Sequence, residues 1–134
     1  MLGYSGTPLP KKLGIKDGLR TILIAAPAEV RSELKSTLAK CDVMSDPKAP
    51  LDFAMLFTKS SAELKNDFSR IAKSLAPAGI LWVSWPKKTS GVATDLNENV
   101  VRDIGLAAGL VDVKVCAITE IWSGLKFVRR VKDR

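Results

Sequence analysis

The chain is expected to fold as an α/β protein: a three-layer, Rossmann-like sandwich around a mostly parallel sheet. Two observations predict this. Three apolar runs, 21–26, 51–57 and 80–85, lack polar alternation, as strands buried on both faces do. Between them lie segments with apolar residues three and four apart, the spacing of one helical face. Strands alternating with helices argue for parallel pairing with helices on both sides of the sheet.

Residues 1–20 hold Gly3, Gly6, Pro8, Pro10, Gly14 and Gly18 and read as an irregular basic arm, with a short helical turn from Pro10 to Leu13. Residues 21–134 read as one α/β domain. Thr21 to Ala26 is the first strand, and Pro27 suits the first position of a helix over Ala28–Ala39, with Val30, Leu34 and Leu38 inward. A short strand, Cys41 to Met44, ends at Asp46-Pro47. Leu51 to Phe57 is the third strand. Ser60 and Glu63 form a capping-box pattern, and Leu64, Phe68, Ile71 and Leu75 line one face of the next helix, which Pro77 and Gly79 should stop.

Ile80 to Trp85 is the fourth strand, and a polar loop from Pro86 to Val92 follows it. Thr94 or Asp95 should cap the last helix, with Leu96, Val100 and Ile104 as its stripe and Gly109 at its end. Val111, Val113, Val115 and Ala117 alternate with Asp112, Lys114 and Cys116, a half-buried strand. Ser123-Gly124 reads as the turn of a terminal hairpin, with Leu125 to Val131 as its second strand. The expected strand order is 2-1-3-4-6-5, with the hairpin antiparallel at one edge.

Composition excludes several functions. The 134 residues contain no histidine, so Ser-His and Cys-His catalysis and His-ligated metals are absent. Cys41 and Cys116 form no CxxC pair. They are expected to be free thiols, although a disulfide between them is formally open. No apolar run approaches the roughly 20 residues needed to span a bilayer. The N-terminus lacks a basic-then-apolar signal layout, so a cytoplasmic protein with no membrane partner is expected.

The net charge of +7 is unevenly placed. Lys11, Lys12, Lys16 and Arg20 face one acid, Asp17. Arg129, Arg130, Lys132 and Arg134 face Asp133, and Lys87 and Lys88 share a loop. The pattern suits a phosphate-bearing partner or a solvated surface equally.

In such sheets ligands sit beyond the carboxyl ends of the strands, near the point where strand order reverses. The candidate ligand-binding residues there are Trp85, Lys87, Lys88, Thr89 and Ser90 in one loop, and Lys59 before a helix. Tyr4, Lys11 and Lys12 belong to an arm that can fold over the same edge. Each has a plain alternative: Trp85 as core, the lysines as solvated charge, Ser60 as a helix cap. No catalytic set can be assembled. Asp95 is the best candidate base but reads first as a helix cap, Asp52 begins its strand at the edge opposite the loops, and Glu120 has no evident partner.

Leu75-Ala76-Pro77-Ala78-Gly79-Ile80-Leu81 resembles the L-x-P-G-G turn of S-adenosylmethionine (SAM)-dependent methyltransferases. The resemblance covers residues 51–131 and includes the closing helix and hairpin. It implies a SAM site at a glycine-rich loop after the first strand and an acid after the second. Here the loop reads Ala25-Ala26-Pro27-Ala28-Glu29, and the acid is Asp46, equally a turn residue before Pro47. Relative to that family the chain is also short by one helix–strand unit. The whole chain further resembles a bacterial, chiefly actinobacterial, family of unknown function, through Gly3–Ile15, Trp85–Gly91 and Val113–Lys126.

These features together favour a non-catalytic binding module without cofactor, monomeric or homodimeric, for an anionic small molecule, nucleotide or protein. The alternatives are a methyltransferase-like transferase with an atypical cofactor mode, and nucleic-acid binding through the arm and tail.

Overall fold

A computed structural model describes residues 6–134. In order the elements are α1 (Leu9–Leu13), β1 (Arg20–Ile24), α2 (Ala28–Leu38), β2 (Asp42–Val43), β3 (Leu51–Phe57), α3 (Ser61–Ser74), β4 (Leu75–Pro86), α4 (Glu98–Ala107), β5 (Leu110–Ala117) and β6 (Trp122–Arg129). The six strands form one sheet in the order β2-β1-β3-β4-β6-β5, as expected. The first four pair in parallel, and β6 pairs antiparallel with both β4 and β5.

The continuous apolar runs are explained by burial on both faces of the sheet. Ile22, Leu56, Leu81 and Val83 pack with Leu64, Phe68 and Ile71 of α3 and Val101 of α4. On the opposite face Phe53, Met55 and Trp82 pack with Leu9 and Leu13 of α1 and Val30 and Leu34 of α2. The N-terminal segment therefore supplies core. The Trp82 indole N–H donates to the Leu13 carbonyl at 2.8 Å, which ties α1 to the middle of the sheet.

Several boundaries differ from expectation. β4 begins at Leu75, so Pro77 and Gly79 lie inside a strand whose register shifts against β3 between Leu51 and Phe53. Gly79 is required there because a Cβ would sit 2.7 Å from the Leu51 carbonyl. Ser123 and Gly124 are not a turn but the start of β6. The turn is 118–121, where Thr119 Oγ1 accepts from the Ile121 and Trp122 amides at 3.0 Å each. Gly124 serves close packing instead: a Cβ would meet Ile118 at 2.8 Å.

The last helix is capped by Asn97, whose Oδ1 accepts from the Val100 amide at 2.9 Å, and not by Thr94 or Asp95. Its inward residues are Val101 and Gly105, with Val100 and Ile104 partly buried. The even alternation read in β5 is broken by a register shift between Asp112 and Lys114. Val113 and Val115 are accordingly exposed. Cys41 and Cys116 are free thiols.

Candidate functional site

Strand order reverses between β1 and β3, and the connections that meet at the carboxyl edge are those leaving β1, β3 and β4. The β3–α3 turn is built by short side chains. Ser60 caps α3 by accepting from the Glu63 amide at 3.3 Å. The expected capping box closes through a third residue: Thr58 Oγ1 donates to Glu63 Oε1 and accepts from the Ser60 amide, both at 3.3 Å.

The loop after β4 is clasped to this turn. Asp95 Oδ1 accepts from the Ser61 amide and Oδ2 from the Ser61 hydroxyl, each at 2.8 Å. Thr94 Oγ1 donates to the Lys59 carbonyl at 2.6 Å and accepts from the Leu96 amide at 3.1 Å. Asp95 is thus a cap, but for α3 rather than for the helix that follows it. The Ser61 hydroxyl and amide both stabilise the carboxylate and hold its pKa below the usual value. A helix N-terminus favours an anion, and the first turn of α3 already holds the chain's own.

Beneath the clasped loop is a cleft of about 580 Å³. Trp85, Val92 and Leu96 give it an apolar floor, Lys87 and Lys88 a basic wall, and Asn97, Glu98 and Ser123 a polar rim. Trp85 is 5% exposed, so it is both a core residue and a lining residue. The Lys87 amide donates to the Ile121 carbonyl at 2.7 Å, which joins the wall to the hairpin turn. Glu98 is committed to Arg102 at 2.6 Å, and Arg102 also holds Asp112 at 2.9 Å. These hydrogen bonds, from Glu98 first and Asp112 second, raise the Arg102 pKa above its ordinary value. Both carboxylates at the loop are thus engaged by partners within the chain.

Of the expected site residues, Trp85, Lys87 and Lys88 line the cleft. Thr89 and Ser90 form a one-turn helix beside it, where the Ser90 hydroxyl donates to the Lys87 carbonyl at 2.7 Å and accepts from the Val92 amide at 3.2 Å. Lys59 contributes its carbonyl to the clasp and its side chain is exposed. Lys11 and Lys12 lie on α1 and do not line the cleft. Tyr4 is outside the described residues. The lining residues not anticipated are Leu96, Asn97, Glu98 and Ser123. Asn97 carried a readable signal, a capping residue before Glu98 and a helical stripe.

At the exit of β1, Ala25 adopts φ +57°, the left-handed conformation that glycine enters without strain. It is exposed, and α2 begins at Ala28, with Pro27 extended at the N-cap position rather than first in the helix and no side-chain cap. Asp46 is exposed in a bend after β2, and β2 leads to β3 without an intervening helix. Asp52 lies at the opposite edge, accepting from the Arg20 amide at 2.9 Å. Among the described residues no cluster of three acidic or cysteine side chains can hold a metal. No described helix is long and apolar enough to cross a membrane.

No family model and no curated protein sequence matches the chain. Solved structures do. A SAM-dependent methyltransferase from Aquifex aeolicus aligns over 87% of this chain and 85% of its own, with TM-score 0.64 and 13% identity. The magnesium protoporphyrin IX methyltransferase of Synechocystis, with bound SAH, aligns over 90% and 78%, with TM-score 0.61 and 14% identity. A putative methyltransferase from Thermoplasma acidophilum aligns over 92% and 75%, with TM-score 0.58 and 10% identity. The fold is methyltransferase-like. At these identities the likeness is one of architecture.

Proposed function

We propose that the chain is a transferase of the methyltransferase type that binds a SAM-class nucleoside at the carboxyl edge between β1 and β3, in an atypical mode. The observation that carries this reading is Ala25. A non-glycine residue in the left-handed region costs on the order of 1 kcal/mol, and such strain concentrates at ligand sites. The turn that a glycine loop would make after β1 is therefore kept without the glycine.

The groups that would hold the cofactor are the backbone of 25–28, the uncapped first amides of α2 and the exposed carboxylate of Asp46. Pro27 offers no N–H, which is the atypical element. When bound, SAM supplies an electrophilic methyl group. The chain's part is to seat an acceptor: Trp85, Val92 and Leu96 bury its apolar body, and Lys88 meets an acidic substituent. With Asp95 and Glu98 both engaged, the acceptor atom has to be nucleophilic without carboxylate assistance.

Calorimetry with SAM and with SAH tests this. Saturable binding, lost in a folded Ala25→Val variant, is expected; titrations that stay flat up to millimolar ligand would refute it. A second reading, a non-catalytic module for an organic anion in the same cleft, is favoured by Pro27 and by the two engaged carboxylates. It predicts anion binding with no response to SAM.

A further inference from the structure

A different face of the molecule brings lysines from α1, β5 and β6 together. On the sheet face covered by α1, Lys114 of β5 and Lys126 of β6 are direct cross-strand partners. Like charges placed opposite one another on adjacent strands are destabilising. Lys114 Nζ lies 3.3 Å from the Lys12 carbonyl, and a Cβ on Gly14 would sit 3.9 Å from Lys126 Nζ, so both ammonium groups gather at the end of α1. Lys11 and Lys12 stand on α1 itself. Lys12 and Lys114 both act electrostatically on the half-buried Cys116.

Four basic side chains elsewhere find acids. Arg20 meets Asp42, Lys40 meets Asp17, Arg70 meets Asp67, and Arg102 meets Glu98 and Asp112. Among the described residues no carboxylate pairs with Lys11, Lys12, Lys114 or Lys126, and residues 1–5 contain none.

The register shift in β5 produces this separation. In a regular strand Asp112 and Lys114 would share a face. The shift at Val113 instead turns Asp112, opposite Phe127, toward Arg102 of α4, and turns Lys114, opposite Lys126, toward α1. A bulge that re-aims side chains is a structural device rather than a defect. Here it moves Asp112 to the far side of the sheet.

We propose that the face formed by Lys11, Lys12, Lys114 and Lys126 binds the phosphodiester backbone of nucleic acid, without reading its bases. Trp82, the cross-strand partner of Lys126, and Phe53 are fully buried and so not offered to bases or to a lipid headgroup layer, while the partly buried Trp122 on the same face packs edge-on against Phe57. Contact through phosphates alone predicts weak, sequence-independent and strongly salt-dependent association. The inference does not depend on the cofactor reading, because this face lies apart from the Trp85 cleft.

The test is fluorescence anisotropy of a labelled mixed-sequence DNA duplex, titrated with the full chain at several salt concentrations. Three to four phosphate contacts predict log K falling with log salt at a slope of about −3. The double variant Lys114→Gln/Lys126→Gln should weaken binding at least tenfold at low salt and reduce the slope by about 2. Lys114→Arg/Lys126→Arg should retain binding, and Lys65→Gln/Lys73→Gln on the outer side of α3 should leave it unchanged; thermal melts would establish that all three are folded. The proposal is overturned by no association at the lowest salt, by a glutamine pair that binds like the parent, or by an α3 pair that loses as much. Binding to phosphatidylserine vesicles in place of the duplex would overturn it too.

Discussion

Gly105 is where α4 touches the sheet, and replacing it with alanine sets two effects against each other. Alanine is the better helix former by about 1 kcal/mol, so an isolated α4 would gain. In the folded chain the new Cβ would lie 2.1, 2.5 and 2.7 Å from three ring carbons of Phe127. Ordinary carbon contacts begin near 3.5 Å, so the closest pair overlaps by about 1.4 Å. Phe127 cannot swing aside cheaply. It is fully buried and meets Phe68 edge-on, with ring centroids 5.1 Å apart. Overpacking of this kind costs about 1–3 kcal/mol, and an overlap this large belongs at the upper end. The net loss is about 2 kcal/mol, a fall in Tm of about 7 °C for a domain of this size. Thermal unfolding by circular dichroism measures it. The same substitution in a Phe127→Leu background should cost less, since the ring edge is gone. An unchanged or raised Tm for Gly105→Ala in the parent chain would refute the argument, because propensity would then outweigh packing.

Ala25→Gly should preserve the turn after β1 and hold or raise stability by up to about 1 kcal/mol, whereas Ala25→Val should lower it; urea midpoints compare the two. Trp82→Phe removes the indole donor to the Leu13 carbonyl and should cost about 1 kcal/mol or more, with faster amide exchange confined to α1. The Asp95 carboxyl titrates below its ordinary 3.8 in the folded chain, so its contribution is intact above that pH and is lost as pH falls through the lower folded value. The Ser61 amide resonance should report the clasp opening with a midpoint below 3.8; a midpoint at or above it would mean the clasp does not form.

The strand order was legible because β1, β3 and the second half of β4 each carry a continuous apolar run, 22–24, 53–57 and 80–83, as strands of a doubly covered parallel sheet do. The Ser60 cap was legible because its partner is three residues away. Asp95 was not, since its partner Ser61 lies 34 positions back and a capping residue does not announce which helix it caps. Ser123-Gly124 misled because glycine marks turns and close packing alike. The flip of Lys114 was invisible, because Val111 to Ala117 alternates evenly in sequence and the register shift appears only against β6. At the site, Trp85, Lys87 and Lys88 were found through the strand end that presents them. Leu96, Asn97 and Glu98 were missed because their place depends on how the loop folds back.

The bond between Trp82 and Leu13 has a kinetic side. The contact spans 69 positions, so the closure entropy of a long loop must be met before α1 can dock. During synthesis Leu9 and Leu13 emerge before β4, so the part of their apolar surface that Trp82 covers stays open until β4 has formed beside β3. The docking of α1 on the sheet is then completed late, and any delay in producing β4 prolongs the exposure of a sticky, lysine-bearing helix.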